Sequence, residues 1–247
     1  MIEVDGLVKV FHDRKRGEVR AVDGICFEVN PGEIFGLLGL NGAGKTTTLR
    51  MLATILTPTA GTAKVDGFDI RENPVEVRRR VGFLSGDTGL YHRLTPRELL
   101  SYFGELYGMD RKKINDRIEE LSTLLDMEGF LDVKIDKLSQ GMKQKTSIAR
   151  TLMHDPQVLL LDEPIKGLDV LTSLNIIEFI RNSKRMGKTI VFSTHVMREA
   201  ERLCDRIGII HEGRIIKIGT LEGWRQETGL HDLEDIFVEF VKHDETH

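Results

Sequence analysis

Gly39-Leu40-Asn41-Gly42-Ala43-Gly44-Lys45-Thr46-Thr47 carries the residue types that can bind a chain of phosphates. The run fits the pattern Gly, four residues, Gly, Lys, Thr. Backbone amides wrap phosphates only where side chains stand clear. Gly39, Gly42 and Gly44 remove those side chains and permit positive φ. Lys45 supplies a point charge for the outer phosphates, and the Thr46 hydroxyl suits Mg2+. Farther along, Val158-Leu159-Leu160-Leu161-Asp162-Glu163-Pro164 is an apolar run ending in two carboxylates. Asp162 could hold Mg2+ directly or through water. Glu163 could polarise a water against a terminal phosphate. Ser193-Thr194-His195 ends a second apolar run in the same way. His195 is then either a structural histidine or a hydrogen-bond donor to a γ-phosphate oxygen. Ser139, in Leu138-Ser139-Gln140-Gly141-Met142-Lys143-Gln144-Lys145, is a good helix N-cap, and capping alone would explain it. Ser139, the Gly141 amide and the helix N-terminus also make an anion site. A second phosphate-binding element in one chain suggests that two molecules share each nucleotide.

These residues need a scaffold, and the surrounding pattern predicts one. Ile34-Phe35-Gly36-Leu37-Leu38 reads as a buried strand before the phosphate loop, and Thr47-Thr48-Leu49-Arg50-Met51-Leu52 as a helix after it. The helix N-terminus adds its partial positive charge to the phosphate site. Strand, helix, strand, helix, strand follows through Val158–Leu161, 171–185, Thr189–Ser193, 196–203 and Ile207–Ile210, which predicts a parallel sheet covered on both faces. Ligands of such sheets sit beyond the carboxyl ends of the strands, where Asp162, Glu163 and His195 fall. Residues 1–30 alternate as strands, with Arg14-Lys15-Arg16 as a solvated hairpin tip; Gly61–Gly67 is another strand and 72–80 a charged helix. Thr95-Pro96-Arg97-Glu98 is a capping box with Pro at the first helical position. Leu99, Leu100, Phe103, Leu106 and Tyr107, then Ile114, Ile118, Leu121, Leu124 and Leu125, follow at helical spacing and predict an apolar-faced helical lobe inserted between sheet strands. Leu233, Ile236, Phe237, Phe240 and Val241 predict an amphipathic helix in the tail.

Composition narrows the class. The chain has 247 residues, a net charge of −4, 40% apolar and 30% charged residues, as an ordinary soluble domain has. No basic excess argues for a nucleic-acid partner. The N-terminus lacks a basic region followed by an apolar run, so no signal peptide is expected. No stretch approaches the roughly 20 apolar residues that span a bilayer, so any membrane process needs another chain to do the spanning. Cys26 and Cys204 lack metal spacing and are expected to be buried thiols in a reducing cytosol.

Together these residues resemble the ATPase subunit of ATP-binding-cassette (ABC) transporters over nearly the whole chain, in order and spacing. Gly39–Thr47 is similar to the family's Walker A loop, Leu138–Lys145 to its signature motif, and Leu159–Glu163 to Walker B with the catalytic Glu. Gly167-Leu168-Asp169 is similar to the D-loop, His195 to the switch histidine, and Phe11 to the aromatic that stacks on adenine. The resemblance implies an α/β fold: a P-loop NTPase with a RecA-like parallel-sheet core at 34–86 and 154–220. To it would be joined an antiparallel β region at 1–33 with 60–70, a helical subdomain at 87–153 and a helical tail at 221–247. It implies nucleotide contacts from Phe11, Gly39, Asn41, Gly42, Ala43, Gly44, Lys45, Thr46, Thr47, Ser139, Gly141 and Asp169. Catalytic roles would fall to Glu163, His195 and Lys45, and Mg2+ to Thr46 and Asp162. Two ATP would lie in a head-to-tail homodimer that drives integral membrane permease subunits from the cytoplasmic face of the cell membrane.

The chain also departs from the family's pattern. Leu40 stands for a frequent Pro, and the signature reads Ser-Gln-Gly-Met rather than Ser-Gly-Gly-Gln. Ile165-Lys166 replace a Thr and a small polar residue, which bears on the dimer interface. Leu84-Ser85-Gly86-Asp87 stands where relatives carry the Gln that ligates Mg2+ and senses the membrane subunit, and Gly86 offers no side chain. The expected replacement is water rather than Asp87, with Asp87, Thr88 and Tyr91 facing the membrane subunit. Leu-Ser-Gly-Asp-Thr-Gly-Leu-Tyr with Ser-x-Gly-Met-Lys-Gln-Lys is similar to the sodium-efflux exporter (NatA-type) branch. The expected function is therefore an exporter's ATPase. A cassette acting on a cytosolic assembly scaffold is the alternative, and a non-hydrolysing module is disfavoured by Glu163 and His195. A chromosome-organising ATPase would need a long coiled coil between Walker A and signature, for which there is no room.

Overall fold

The computed structural model describes residues 1–13, 17–86 and 89–245. The Arg14-Lys15-Arg16 tip and the proposed contacts Asp87 and Thr88 lie outside the described residues. In chain order the elements begin with β1 (Ile2–Asp13), β2 (Gly17–Val29), β3 (Ile34–Leu38), α1 (Lys45–Leu52), β4 (Ala60–Val65), β5 (Phe68–Asp69), α2 (Pro74–Arg80) and β6 (Val81–Leu84). Then come α3 (Pro96–Leu106), α4 (Arg111–Leu124), α5 (Gln140–Leu152), β7 (Val158–Asp162), α6 (Val170–Arg185), β8 (Thr189–Thr194) and α7 (Met197–Leu203). The chain closes with β9 (Arg206–His211), β10 (Arg214–Gly219), α8 (Leu221–Thr228) and α9 (Leu233–Glu245).

One sheet has strand order β10-β9-β3-β8-β7-β6. Its strands are parallel except β10, which returns antiparallel along β9 through the His211–Arg214 turn. Every residue of β3, β7 and β8 is buried, as strands covered on both faces must be. Their side chains alternate between two cores. Ile34, Leu159, Leu161, Ile190 and Phe192 join a core shared with α3, α4, α5 and α6. Phe35, Leu37, Val158, Leu160 and Val191 join a second core with α1 and the other sheet. That other sheet is antiparallel, in the order β2-β1-β4-β5, and lays Ile2, Val4, Phe27 and Val65 onto the second core. Gly61 shows how closely its strands cross. Its φ is +71°, and a Cβ there would stand 2.0 Å from the Gly6 carbonyl. Trp224 of α8 and Ile236 and Phe237 of α9 pack on Ile207 and Ile209 of β9 in a third cluster.

The helical lobe sits between β6 and β7. The predicted capping box is present: Glu98 N donates to Thr95 Oγ1 at 3.2 Å, and Thr95 N donates to Glu98 Oε2 at 2.8 Å. Leu99, Leu100, Ile114, Ile118, Leu121 and Leu125 are buried as expected. Leu106 and Leu124 are not, because each sits on the flank of its helix, off the face that Leu99, Leu100 and Phe103, or Ile118, Leu121 and Leu125, turn inward. Tyr107 is the C-cap of α3 and stacks on His154, ring centroids 3.9 Å apart. Cys26 corrects a further expectation. With Ile25 and Phe27 facing inward, the strand period turns Cys26 outward, where it is exposed and accepts from Gly6 N at 3.1 Å. The Cys204 thiol packs closely enough on Gly36 that burial pushes its pKa up.

His154 joins the lobe to the core, and it makes the fold acid-sensitive. Its Nε2 donates to the Val81 carbonyl at 3.1 Å, and its buried Nδ1 has no partner. Burial lowers its pKa to about 4, outweighing that hydrogen bond. The folded value lies below the unfolded one, so the stability gained from a neutral ring is full above about pH 6.5 and is lost as pH falls toward 4. His154→Phe keeps the stack and removes the titration. Thermal melts across that window should therefore fall less steeply for the variant than for the wild type. Parallel slopes would show that His154 does not titrate there.

Candidate functional site

Strand register brings the site together. Leu38 pairs with Thr194, Asp162 with Ser193, and Leu84 with Leu161. The segments that leave β3, β6, β7 and β8 therefore all emerge at one edge of the sheet. A cavity of about 570 Å³ opens there, lined by residues of the phosphate loop and by Asp162, Glu163, Lys166, Gly86, Gln140 and Gln144.

The phosphate loop is held by close backbone packing. Gly42 and Gly44 have φ of +85° and +107°. A Cβ on Gly44 would stand 2.5 Å from the Ala21 carbonyl, and one on Gly39 would stand 2.3 Å from the Ile210 carbonyl. Ala43 N donates to Leu40 O at 3.2 Å, and Ala43 O accepts from Gly213 N at 3.0 Å. Lys45 is buried at the start of α1, its Nζ donating to Gly39 O at 2.8 Å and Leu40 O at 3.0 Å. Burial pushes its pKa down, against the pull of Glu163 and Asp162. Asn41, Gly42, Gly44, Lys45, Thr46 and Thr47 line the cavity, whereas Gly39 and Ala43 stand behind it as support.

The acidic side is equally fixed. Asp162 is buried, and its Oδ1 accepts from Thr46 Oγ1 at 3.1 Å and from Ser193 Oγ at 2.7 Å. A hydroxyl and a carboxylate so close offer the hard oxygen donors that Mg2+ prefers. Among the described residues no cluster of three His, Cys, Asp or Glu could hold a metal, so most of an ion's ligands there would come from phosphates and water. Glu163 has φ +48°, a left-handed conformation rare outside glycine. Its amide reaches Ser193 O at 3.1 Å and Ser193 Oγ at 3.2 Å, which holds the turn. The carboxylate then meets three nitrogens: His195 Nδ1 on Oε1 at 2.7 Å, Lys45 Nζ 4.0 Å from Oε1, and Lys166 Nζ on Oε2 at 2.7 Å. Burial opposes its charge, but the hydrogen bonds and charges of Lys166 and His195 outweigh it and hold the pKa below the usual carboxylate range.

Besides Gly39 and Ala43, the sequence-selected residues Phe11, Ser139, Gly141, Asp169 and His195 stand outside this lining. Phe11 is exposed near the end of β1, with the Lys9 ammonium 5.3 Å from its ring centroid. Ser139 caps α5, accepting from Met142 N at 3.2 Å. Gly141 lies against Thr172, whose Oγ1 would be 3.0 Å from an added Cβ. Asp169 caps α6 by accepting from Thr172 N at 3.0 Å and Thr172 Oγ1 at 2.7 Å. Motif reading passed over Gln140 and Gln144, which share a face of α5 and line the cavity. Gln144 Nε2 donates to Pro164 O at 2.6 Å, tying the signature helix to the turn after β7. Their i, i+4 spacing behind a capped Ser139 was the available signal.

Comparison with known proteins agrees with this geometry. Residues 22–166 match the family model described as ABC transporter. The chain is 45% identical over 239 residues to the ABC transporter ATP-binding protein NatA of Bacillus subtilis, covering 96% of this chain and 97% of that protein. It is 44% identical over 218 residues to the Nod factor export ATP-binding protein I of Paraburkholderia xenovorans, covering 88% of this chain and 70% of that one. A solved ATP-binding subunit of an ABC transporter superposes with a TM-score of 0.86 at 31% identity, over 98% of this chain and 99% of that one. The fold also matches an ATP-binding cassette solved as a dimer in a post-hydrolysis state with ADP and Pi, at TM-score 0.81, 24% identity, and coverage of 89% and 98%.

Proposed function

This chain belongs to the ABC transporter family and is one of its ATPase cassettes, and we propose that it powers an exporter whose membrane path is built by other chains. In this reading ATP lies in the cavity between the phosphate loop and Glu163. Lys45 and the loop amides take the outer phosphates. Thr46 and Asp162 would hold Mg2+, which would supply positive charge against the phosphates. Glu163 polarises the attacking water, and His195 orients that carboxylate through its Nδ1–H while turning Nε2 toward the γ-phosphate. A second copy, head to tail, brings Ser139 and Gly141 to the same ATP, and Asp169 and Phe11 complete the nucleotide's surroundings. Gly86 offers no side chain to such an ion, and water would serve in its place, because Mg2+ readily keeps water.

The observation that carries this reading is the meeting of Lys45, Thr46, Asp162 and Glu163 on one cavity. Its exporter direction is supported by the relatives named for Nod factor export. Among the described residues no helix is long and apolar enough to cross a membrane. In this reading a permease holds the cassette at the cytoplasmic face of the membrane. Affinity purification from detergent-solubilised membranes tests this. A multi-span protein should co-purify and raise the ATPase rate. Recovery with only cytosolic partners would favour the scaffold alternative.

A further inference from the structure

We propose that Lys166 is a positioning residue shared between two anions, the Glu163 carboxylate and the terminal phosphate of ATP, so that it makes the site prefer ATP over ADP. The proposal rests on the reading of this cavity as the ATP site. Lys166 is one of the places where the chain departs from its family's usual residues, and its Nζ sits 2.7 Å from Glu163 Oε2. The two ends of this pair differ in freedom. The Glu163 side chain is 14% exposed and fixed by a strained turn, whereas that of Lys166 is 62% exposed on a flexible stem.

The other two nitrogen partners of Glu163 have less room to move. Lys45 is buried and bonded to two carbonyls, and His195 is a short ring at the end of a buried strand. Lys166 and the phosphate-loop residues Gly42, Gly44, Lys45 and Thr46 line the same cavity. Its charge is also felt at Lys45, whose own charge it opposes. Two ammonium groups thus converge where outer phosphates would lie. A triphosphate offers its terminal charge to Lys166 and draws it from Glu163, which leaves Oε2 open to water. A diphosphate ends short of that position and leaves the ion pair in place.

Titration calorimetry of ATP and ADP with a metal chelator present tests this without turnover. Lys166→Met should lower the ATP-to-ADP affinity ratio by roughly three- to tenfold, the scale of one partly exposed charge-assisted contact. Lys166→Arg should keep most of the ratio. Glu163→Gln removes the competing anion and should raise the ratio, but only while Lys166 is present. The double variant should match Lys166→Met. An unchanged ratio in Lys166→Met, or an equal rise in Glu163→Gln with and without Lys166, overturns the proposal. ATP binding that does not depend on Lys45 would instead overturn the underlying reading of the cavity. A thermal melt for each variant separates these results from misfolding.

Discussion

Glu163→Gln is expected to lower ATP turnover by about 10²–10⁴-fold while leaving ATP binding in place, the loss typical of a positioned base. Gln has nearly the same shape and still offers an oxygen to Lys166 and His195. It cannot take a proton or carry the charge that polarises water. Lys45 and Thr46, which bind phosphate in this account, are untouched. The ATP-bound pair of copies should therefore accumulate, visible as a nucleotide-dependent shift in size-exclusion chromatography. Phosphate release at saturating ATP gives the rate, and a rate equal to that of the wild type would reject Glu163 as the base.

Lys45→Ala is expected to act on binding instead. The Nζ is buried and already oriented by Gly39 O and Leu40 O, so little freedom is lost when a phosphate joins those acceptors. A hydrogen bond to a charged group contributes about 1.5–3 kcal/mol, so affinity for ATP should fall roughly 10- to 100-fold. The two carbonyls also lose their donor, which should lower thermal stability slightly. Tight ATP binding by a folded Lys45→Ala variant would count against the reading of the loop. The two variants thus separate cleanly, one in kcat and the other in affinity.

The elements of the fold were legible where the pattern is local. The capping box at Thr95 and Glu98, the apolar runs within β3, β7 and β8, and the apolar stripe of α4 follow from spacing alone. The phosphate loop was legible because its residues are contiguous. Contacts between distant segments were not. Nothing in the sequence places Gln144 on the Pro164 carbonyl, because that bond depends on how α5 meets the turn after β7, and Lys166 reaches Glu163, three residues before it, only through the positive φ of that turn. Burial of two leucines was misread from spacing. Leu106 and Leu124 share the i, i+3 spacing but fall on the flank of the stripe, and the buried Leu125 shows that the partner surface runs on past Leu124. Cys26 was misassigned by residue type, where strand period should have decided. His195 stood undecided between structure and chemistry, and its 2.7 Å contact with Glu163 ties it to the acidic side of the site.

The central claim is that each ATP is worked on by two copies of the chain, and mixed pairs measure it most directly. One arrangement puts Lys45→Ala in one copy and Ser139→Arg in the other, which leaves one phosphate loop facing one intact signature. The second puts both changes in a single copy, which spoils both shared sites. The account predicts substantial ATPase activity from the first arrangement and almost none from the second. Equal activity from the two would contradict it and assign hydrolysis to sites that each copy completes alone.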